Sequence, residues 1–573
     1  MNQTRLFLII AWFSVATLLW MEWGKDQAAP PVPVESAMAT TSTVPRASGA
    51  ATTAAEPSVP TTPAAMSAAP VPTTRAAADP VTVTVTTDVL EVVLAGGELR
   101  QADLLKYPGT SAADSPPVRL FDADPGRYFV AQSGWVSNAG PAPSHEAGFV
   151  PDIAATGSDA FVLADGAARV VVPFVWTGAN GVTIRRTYTF KRGDYVVDVR
   201  DEVVNAGTAP WQGFVYRQLS RVPRALVSKG PMSAESYSFQ GAAWFSATDK
   251  YEKRKFDDFV DDGPLNKEST GGWIGMLQHH FFAAWIPGKT DSSTFSLATP
   301  QGPAGTQYLI REVGPGVSVA PGATASTQAR LWVGPKLVKR IEVQNVPGLD
   351  RAVDFSTYAI FATIAGWLFW VLERIHGLTG NWGWAIIGLV ILIKAAMYPL
   401  SAAQYKSMAK MRKFQPRIAQ LKERYGEDRQ QFQTAMMELY KKEKINPMGG
   451  CLPILVQMPV FIALYYVLQA SAEMRGAPWV GWITDLTARD PYFILPAINM
   501  AVMWFTQKLT PQAPGMDPMQ QKMMQMMPLV FGVLFAFAPA GLVLYWISNA
   551  GLGLLQQWWM TKRYAEPVPA KAG

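Results

Sequence analysis

The chain has 573 residues, 49% of them hydrophobic, with a mean hydropathy of +0.08 and a formal net charge of +6. That length calls for two or more folded units, and the mean hydropathy is high for a soluble protein of this size. A single cysteine, Cys451, excludes an internal disulfide framework.

At the N-terminus, Arg5 precedes an apolar run from Leu6 to Trp20. Met21-Glu22-Trp23 offers no small-x-small cleavage site, which favours a retained signal anchor over a cleaved signal peptide. In both cases the following chain is exported. Residues 26–80 are dominated by Ala, Pro, Thr, Ser and Val. Such a stretch buries too little apolar surface to offset ordering entropy, so a disordered tether is expected. Residues 81–345 alternate with period two, as in VTVTVTTDVLEVVLA, and Asn180-Gly181 sits between two strand-like runs as a hairpin signal. One large antiparallel β-sandwich is predicted there.

From Phe355 the pattern turns helical. Residues 355–380 carry Glu373 and Arg374 near their end and either span or lie flat, with an interfacial amphipathic helix favoured. Segments 382–400, 451–470, 491–508, 526–540 and 541–560 then have the ~20-residue length that a hydrocarbon core demands. With the N-terminal anchor they make six spans, the last two joined by a tight turn at Pro539–Gly541. Between Ser401 and Gly450, Met408, Met411, Phe414, Ile418 and Leu421, then Phe432, Met436, Leu439 and Tyr440, recur three or four apart. Two helices packed along an apolar seam are predicted.

Charge orients these pieces. Residues 401–450 carry eleven basic and five acidic side chains and so net +6, whereas residues 26–350 net −4. By the positive-inside rule the 401–450 loop, the 508–525 loop and the C-terminus face the cytoplasm, and the β domain lies outside. The cations of the first hairpin helix (Lys406, Lys410, Arg412, Lys413, Arg417, Lys422 and Arg424) are candidates for contact with the ribosome, anionic lipid or a partner. A solvated face that obeys the orientation rule is the alternative.

One residue stands out in WGWAIIGLVILIKAAMYPLS. Lys394 places a full charge in an apolar span, at a cost of ~2.5–3.5 kcal/mol near the bilayer centre. Two readings fit. The amine snorkels to headgroups five residues before Pro399, or it is held in a wet pocket in the inner half of the membrane. Gln457, Asn499, Thr506, Tyr545, Ser548, Asn549, Gln556 and Gln557 add polar groups at comparable depth, though single polar residues also act as helix glue. Six methionines between 516 and 527 suit either an adaptable apolar surface or the start of a membrane helix. Enzyme signatures fail: PGKT at 287–290 has Ala283 where a phosphate loop needs glycine, and His279-His280 lacks further ligands at metal spacing.

The stretches NWGWAIIGLVILIKAAMYPLSAAQYKSMAKMRKFQPRI, NPMGGCLPILVQMPVFIALYYVL, DPYFILPAINM, DPMQQKMMQMMP and PAGLVLYWISN together resemble the YidC membrane-protein insertase family. The order and spacing match over about 355–565, and the anchor, tether and β domain resemble its Gram-negative branch. The resemblance implies a five-helix core in the inner membrane, a hydrophilic groove open to cytoplasm and lipid, a periplasmic β-supersandwich and a cytoplasmic helical hairpin. It implies that Lys394 lines the groove, in a position where arginine is commoner. The charge is kept but the bidentate geometry is lost. Val390, one turn earlier, stands where relatives often have a groove-facing threonine. Client contacts map to Gln457, Met458 and Pro459 and to Tyr545, with Trp546 where a second tyrosine is common. The candidate groove set is therefore Lys394, Gln457, Met458, Pro459, Asn499, Met503, Thr506, Tyr545, Trp546 and Asn549.

The function implied is insertion and chaperoning of nascent membrane proteins, alone or with the Sec translocon, with transient ribosome contact. No cofactor, metal, small-molecule substrate or covalent step is expected. The tail after Tyr564 lacks the long basic extension that some relatives use on ribosomes. The rival from another class is a membrane-anchored periplasmic carbohydrate-binding protein, because large β-sandwiches often bind sugars. A small-solute transporter would require internal repeats, and none is visible.

Overall fold

The computed structural model describes residues 81–110, 114–153, 159–223, 238–303, 305–353, 355, 359–404, 414–425, 428–443, 452–509 and 518–564. The expected anchor and tether lie outside them.

Residues 82–335 fold into two large sheets. One runs in space through Asn266–Thr270, Ser292–Ala298, Tyr308–Val319, Trp211–Arg221, Phe129–Ser137, Glu98–Pro108, Leu90–Ala95, Thr82–Thr86 and Ala160–Val162, with Pro117–Phe121 paired onto Glu98–Pro108. The other runs through Lys250–Lys255, Gly241–Ser246, Trp273–Leu277, Phe281–Ile286, Thr324–Pro335, Val196–Asn205, Val182–Lys191, Arg169–Thr177 and Val150–Pro151. Pairing is antiparallel except where Thr84–Thr86 meet Ala160–Val162. The period-two pattern does what it predicts: along Val182–Lys191 alternate residues are buried. The Asn180-Gly181 turn closes the hairpin between Arg169–Thr177 and Val182–Lys191. Gly181 has φ +78°, and a Cβ there would also meet the backbone of Gly207.

The two sheets share one apolar core that includes Trp135, Trp211, Trp244, Trp273, Trp285 and Trp332. Polar ties cross between the sheets. Arg186 forks onto Asp201 through Nε and Nη2, both at 2.7 Å, and its Nη1 reaches Ser133 Oγ at 2.8 Å. Trp135 Nε1 donates to Asp201 at 2.7 Å. A buried ion pair persists only when its hydrogen bonds are completed in this way.

The helical half contains α1 (Ala359–Thr379), α2 (Trp382–Ala396), α3 (Gln415–Tyr425), α4 (Arg429–Lys442), α5 (Leu452–Ala470), α6 (Ile494–Leu509), α7 (Pro518–Phe535) and α8 (Ala540–Tyr564). Helices α1, α2, α5 and α8 share a second core built on Ala365, Phe369, Ile386, Leu389, Leu464, Val467 and Leu544. Asn381 caps α2, accepting from the N–H groups of Gly383 and Trp384, and its amide donates to the carbonyls of Pro478 and Trp479. On α3 and α4 the expected seam forms from Phe414, Ile418, Phe432, Met436, Leu439 and Tyr440. Leu421 is half-buried on α3, and Met408 and Met411 lie outside the described residues.

Two expected boundaries change. The 382–400 segment is not one straight span: Trp382–Ala396 and Tyr398–Gln404 meet at 61°. Pro399 supplies the physical reason, since proline lacks the N–H and disfavours helical backbone just before it. Among the described residues no single helix is long and apolar enough to cross a membrane by itself, but this bent pair reaches that length and composition. The second change is at the methionine-rich stretch. It belongs to α7, which starts at Pro518 rather than 526, because proline suits a first turn and methionine is a good helix former.

Candidate insertion groove

Helices α2, α5 and α8 bring the sequence-chosen polar residues together. Lys394, near the end of α2, is half-buried, and its Nζ lies 3.6 Å from where a Cβ on Gly553 of α8 would stand. The amine of α2 thus lies against the α8 backbone at Gly553, a position where a Cβ would make ordinary van der Waals contact with it. Lys394 forms no ion pair with any acidic group among the described residues. On α5, Gln457 Nε2 donates to Asn549 Oδ1 of α8 at 3.1 Å. Tyr545, one helical turn before Asn549, is buried, and Gln457 also lies within hydrogen-bonding reach of its hydroxyl. Pro459 is half-buried inside α5, whereas Met458 is 46% exposed on its outer side.

Trp546, half-buried on α8, also packs helices. Its ring centroid lies 4.8 Å from Phe461 of α5 and 5.2 Å from Phe535 of α7, so it packs three helices together. Val390 is buried at 1% exposure, in the apolar core. On α6, Asn499, Met503 and Thr506 follow at i, i+4 and i+7 and so share one face. Asn499 is fully buried, its Nδ2 reaches Met503 Sδ at 3.7 Å, and its Oδ1 has no hydrogen-bond partner. Thr506 Oγ1 donates back to the Val502 carbonyl at 2.8 Å, and Ser548 does the same to Leu544 at 2.7 Å. Those two hydroxyls satisfy themselves within their own helices. Gln556 is half-buried and Gln557 buried on α8. The arrangement is one polar cluster of Lys394, Gln457, Tyr545 and Asn549, plus a second polar face on α6.

Of the cytoplasmic candidates, Arg417 is exposed and pairs with Glu443 at 3.0 Å, and Arg424 is exposed, with its guanidinium 5.7 Å from the Tyr425 ring. Lys406, Lys410, Arg412 and Lys413 lie outside the described residues, as does the Lys422 side chain.

Sequence reasoning missed the junction of the two halves. His279 and His280 stack at 3.8 Å, and both ring Nε2 atoms lie on the Gln469 carbonyl at the end of α5, at 2.9 and 3.1 Å. Burial and the neighbouring His279 hold His280 well below its ordinary titration range. The only sequence signal was the adjacent pair itself, which gave no hint of a carbonyl 190 residues away. Asp490 was also missed. It caps the start of α6 by accepting from the N–H groups of Tyr492 and Leu495, and it takes Trp482 Nε1 at 3.0 Å.

The fold is a β-sandwich joined to a helical bundle with an apolar core, in which Lys394 has no acidic partner among the described residues. Family models agree with that division: residues 82–371 match the YidC periplasmic domain, and residues 374–567 match the 60Kd inner membrane protein. Membrane protein insertase YidC of Stenotrophomonas maltophilia strain K279a is 59% identical over 573 residues, covering 100% of this chain and 98% of that protein. The same-named protein of Xanthomonas axonopodis pv. citri strain 306 is 56% identical, covering 99% and 98%. The chain belongs to the YidC family. Among solved structures, an active YidC insertase with its first transmembrane domain resolved is 18% identical, with a TM-score of 0.38, covering 85% of this chain and 96% of that one. A galactose mutarotase related enzyme from Lactobacillus acidophilus is 9% identical, with a TM-score of 0.29, covering 44% of this chain and 97% of its own. At those values neither likeness bears on function.

Proposed function

We propose that the chain is a membrane protein insertase of the inner membrane, placing nascent membrane proteins into the bilayer through a polar groove between α2, α5 and α8. The observation that carries the function is the match over the full chain, at 59% identity, to a relative named for that activity. What supports the groove is the Gln457–Asn549 hydrogen bond beside buried Tyr545, with Lys394 against Gly553 one turn further along α8.

The physical task is to move a short polar flank of a client across an apolar layer. Water and one cation in the inner half of the membrane lower the desolvation cost of that flank, most of all when it is acidic. Met458 on the outer side of α5, the α6 face of Asn499, Met503 and Thr506, and the exposed Met523, Met526 and Met527 of α7 offer the client's apolar segment an adaptable path to lipid. Burial of that segment in lipid drives the process, and the membrane potential assists acidic flanks. No covalent step is needed.

The multi-pass topology follows the charge pattern: six spans, the β domain in the periplasm, and the α3–α4 hairpin and C-terminus in the cytoplasm. In this scheme α1 lies at the outer interface, where its exposed Trp367 and Trp370 meet headgroups. The Sec translocon on large clients, and the ribosome at the basic hairpin, complete the proposed partners. The carbohydrate-binding alternative explains only the β domain and leaves the polar cluster of the helices without a role.

The test is insertion in proteoliposomes that hold this protein alone. A single-span client with a short acidic N-terminal flank gains protease protection above that in empty liposomes. No gain, with a known insertase working in parallel, would overturn the proposal of unaided insertion.

A further inference from the structure

The β domain and the helical bundle meet around residues 469–475. Beyond the two histidines on the Gln469 carbonyl, Arg475 Nη2 donates to the carbonyls of Pro108 and Gly109 at 3.2 and 3.4 Å. Its guanidinium also lies 5.4 Å from the Phe281 ring centroid. Between these contacts sits Glu473. Its Oε1 accepts the N–H of Val338 at 2.8 Å, at the first turn of the short helix Val338–Val343 that ends the β domain. Its Oε2 is buried and has no hydrogen-bond partner.

An ionised carboxylate with one dry, unpaired oxygen is costly. A neutral carboxyl carries its proton on that oxygen and keeps the Val338 hydrogen bond on the other. We propose that Glu473 is a proton-binding latch: the neutral carboxyl fastens the β domain to the end of α5, and ionisation loosens the junction. Helix α5 also carries Gln457, so the latch lies just beyond the end of a helix that bears part of the polar cluster.

The electrostatic surroundings agree. Burial raises the Glu473 carboxyl to about 7, against the Val338 N–H and its own backbone N–H, which both favour the charged form. Glu373 on α1 raises it further and Lys339 lowers it. Tyr107, Arg475 and Arg340 face the same pocket. A folded-state value above the ordinary 4.5 means that the latch is fully favoured below 4.5 and is lost as pH rises through about 7. His280 acts in the opposite sense, because its buried neutral ring disfavours the junction as pH falls below its ordinary 6.5. The two groups therefore oppose each other, and the difference between the parent profile and that of Glu473→Gln isolates Glu473.

Infrared titration of the full chain in lipid nanodiscs tests this. A protonated-carboxyl band that titrates near pH 7 is expected, and it is absent from Glu473→Gln. Lys339→Gln, at an exposed side chain, moves the midpoint up, and Glu373→Gln moves it down. Exchange protection of the Val338 amide, referenced to the unfolded rate at each pH, falls about twofold to fourfold between pH 6.5 and 8 relative to its course in Glu473→Gln. A midpoint near 4.5, or one that neither neighbouring charge moves, overturns the latch. If Glu473→Gln does not fold, the opposed shifts of the other two variants decide the question. None of these readouts depends on insertion activity.

Discussion

The two halves of this molecule treat the same side chains in opposite ways. In the β domain, Trp135, Trp211, Trp244, Trp273, Trp285 and Trp332 are all buried. In the helical half, Trp367, Trp370, Trp384, Trp482, Trp504, Trp558 and Trp559 are exposed. Charge divides the halves too. Buried Arg186 has Asp201, and buried Arg217 has Glu312 at 3.0 Å, whereas half-buried Lys394 has no acidic partner among the described residues. A soluble domain hides its aromatics and neutralises its buried charges, because water surrounds it. A bundle surrounded by lipid presents its aromatics outward and keeps polar groups for the interior. Lys394 is the proposed functional cation because the other half of the chain shows what structural pairing looks like.

That contrast can be broken experimentally. The largest effect is expected at the buried pair. Asp201→Ala leaves Arg186 charged and unpartnered, and should cost ~3–5 kcal/mol. Thermal unfolding of the full chain should show the loss in the β-domain transition. A change under 1 kcal/mol would mean that Arg186 finds water or another partner. Next comes Lys394→Glu, which should lower insertion of an acidic-flanked client by about tenfold, a loss of ~1.4 kcal/mol, and spare clients with neutral flanks. Equal activity on all clients would remove Lys394 from the groove. A smaller effect belongs to Gln457→Leu and Asn549→Leu. Combined in a double-mutant cycle, they should show a coupling of ~0.6 kcal/mol, typical of hydrogen bonds between membrane helices. Zero coupling would mean that the two amides answer to the client rather than to each other. The smallest effect is expected from deleting most of 81–340. Insertion of a small client by the remaining helical half should largely persist, and its loss would shift the essential chemistry to the β domain.

Much of this was legible in sequence because local chemistry decided it. Alternation marked the strands, and Asn180-Gly181 marked a hairpin that only residues tolerant of positive φ can turn. Spacing marked the Ile418–Met436–Tyr440 seam. The polar residues of the groove were picked out by being polar in apolar runs, and Gln457 and Asn549 do meet. Their individual roles were less legible. Trp546 has the look of a client contact but packs between Phe461 and Phe535. Thr506 and Ser548 look like cavity-lining hydroxyls but bond to their own helices. Sequence gives a side chain's chemistry, whereas its direction depends on what the neighbouring helix presents.

By itself, then, the sequence determined the division into a β domain and a helical half with a basic loop, and the family to which both belong. Hydrophobic period and charge asymmetry act over short stretches, and five ordered motifs are a strong signature. Only the tertiary structure decided which strands neighbour one another, as where Trp211–Arg221 pairs with Tyr308–Val319. It also decided that Lys394 sits against Gly553 and that Glu473 meets Val338. Those contacts join residues from 87 positions apart (Arg221 and Tyr308) to 159 apart (Lys394 and Gly553). Packing fixes them, because a buried group must find its partner wherever the fold happens to place one.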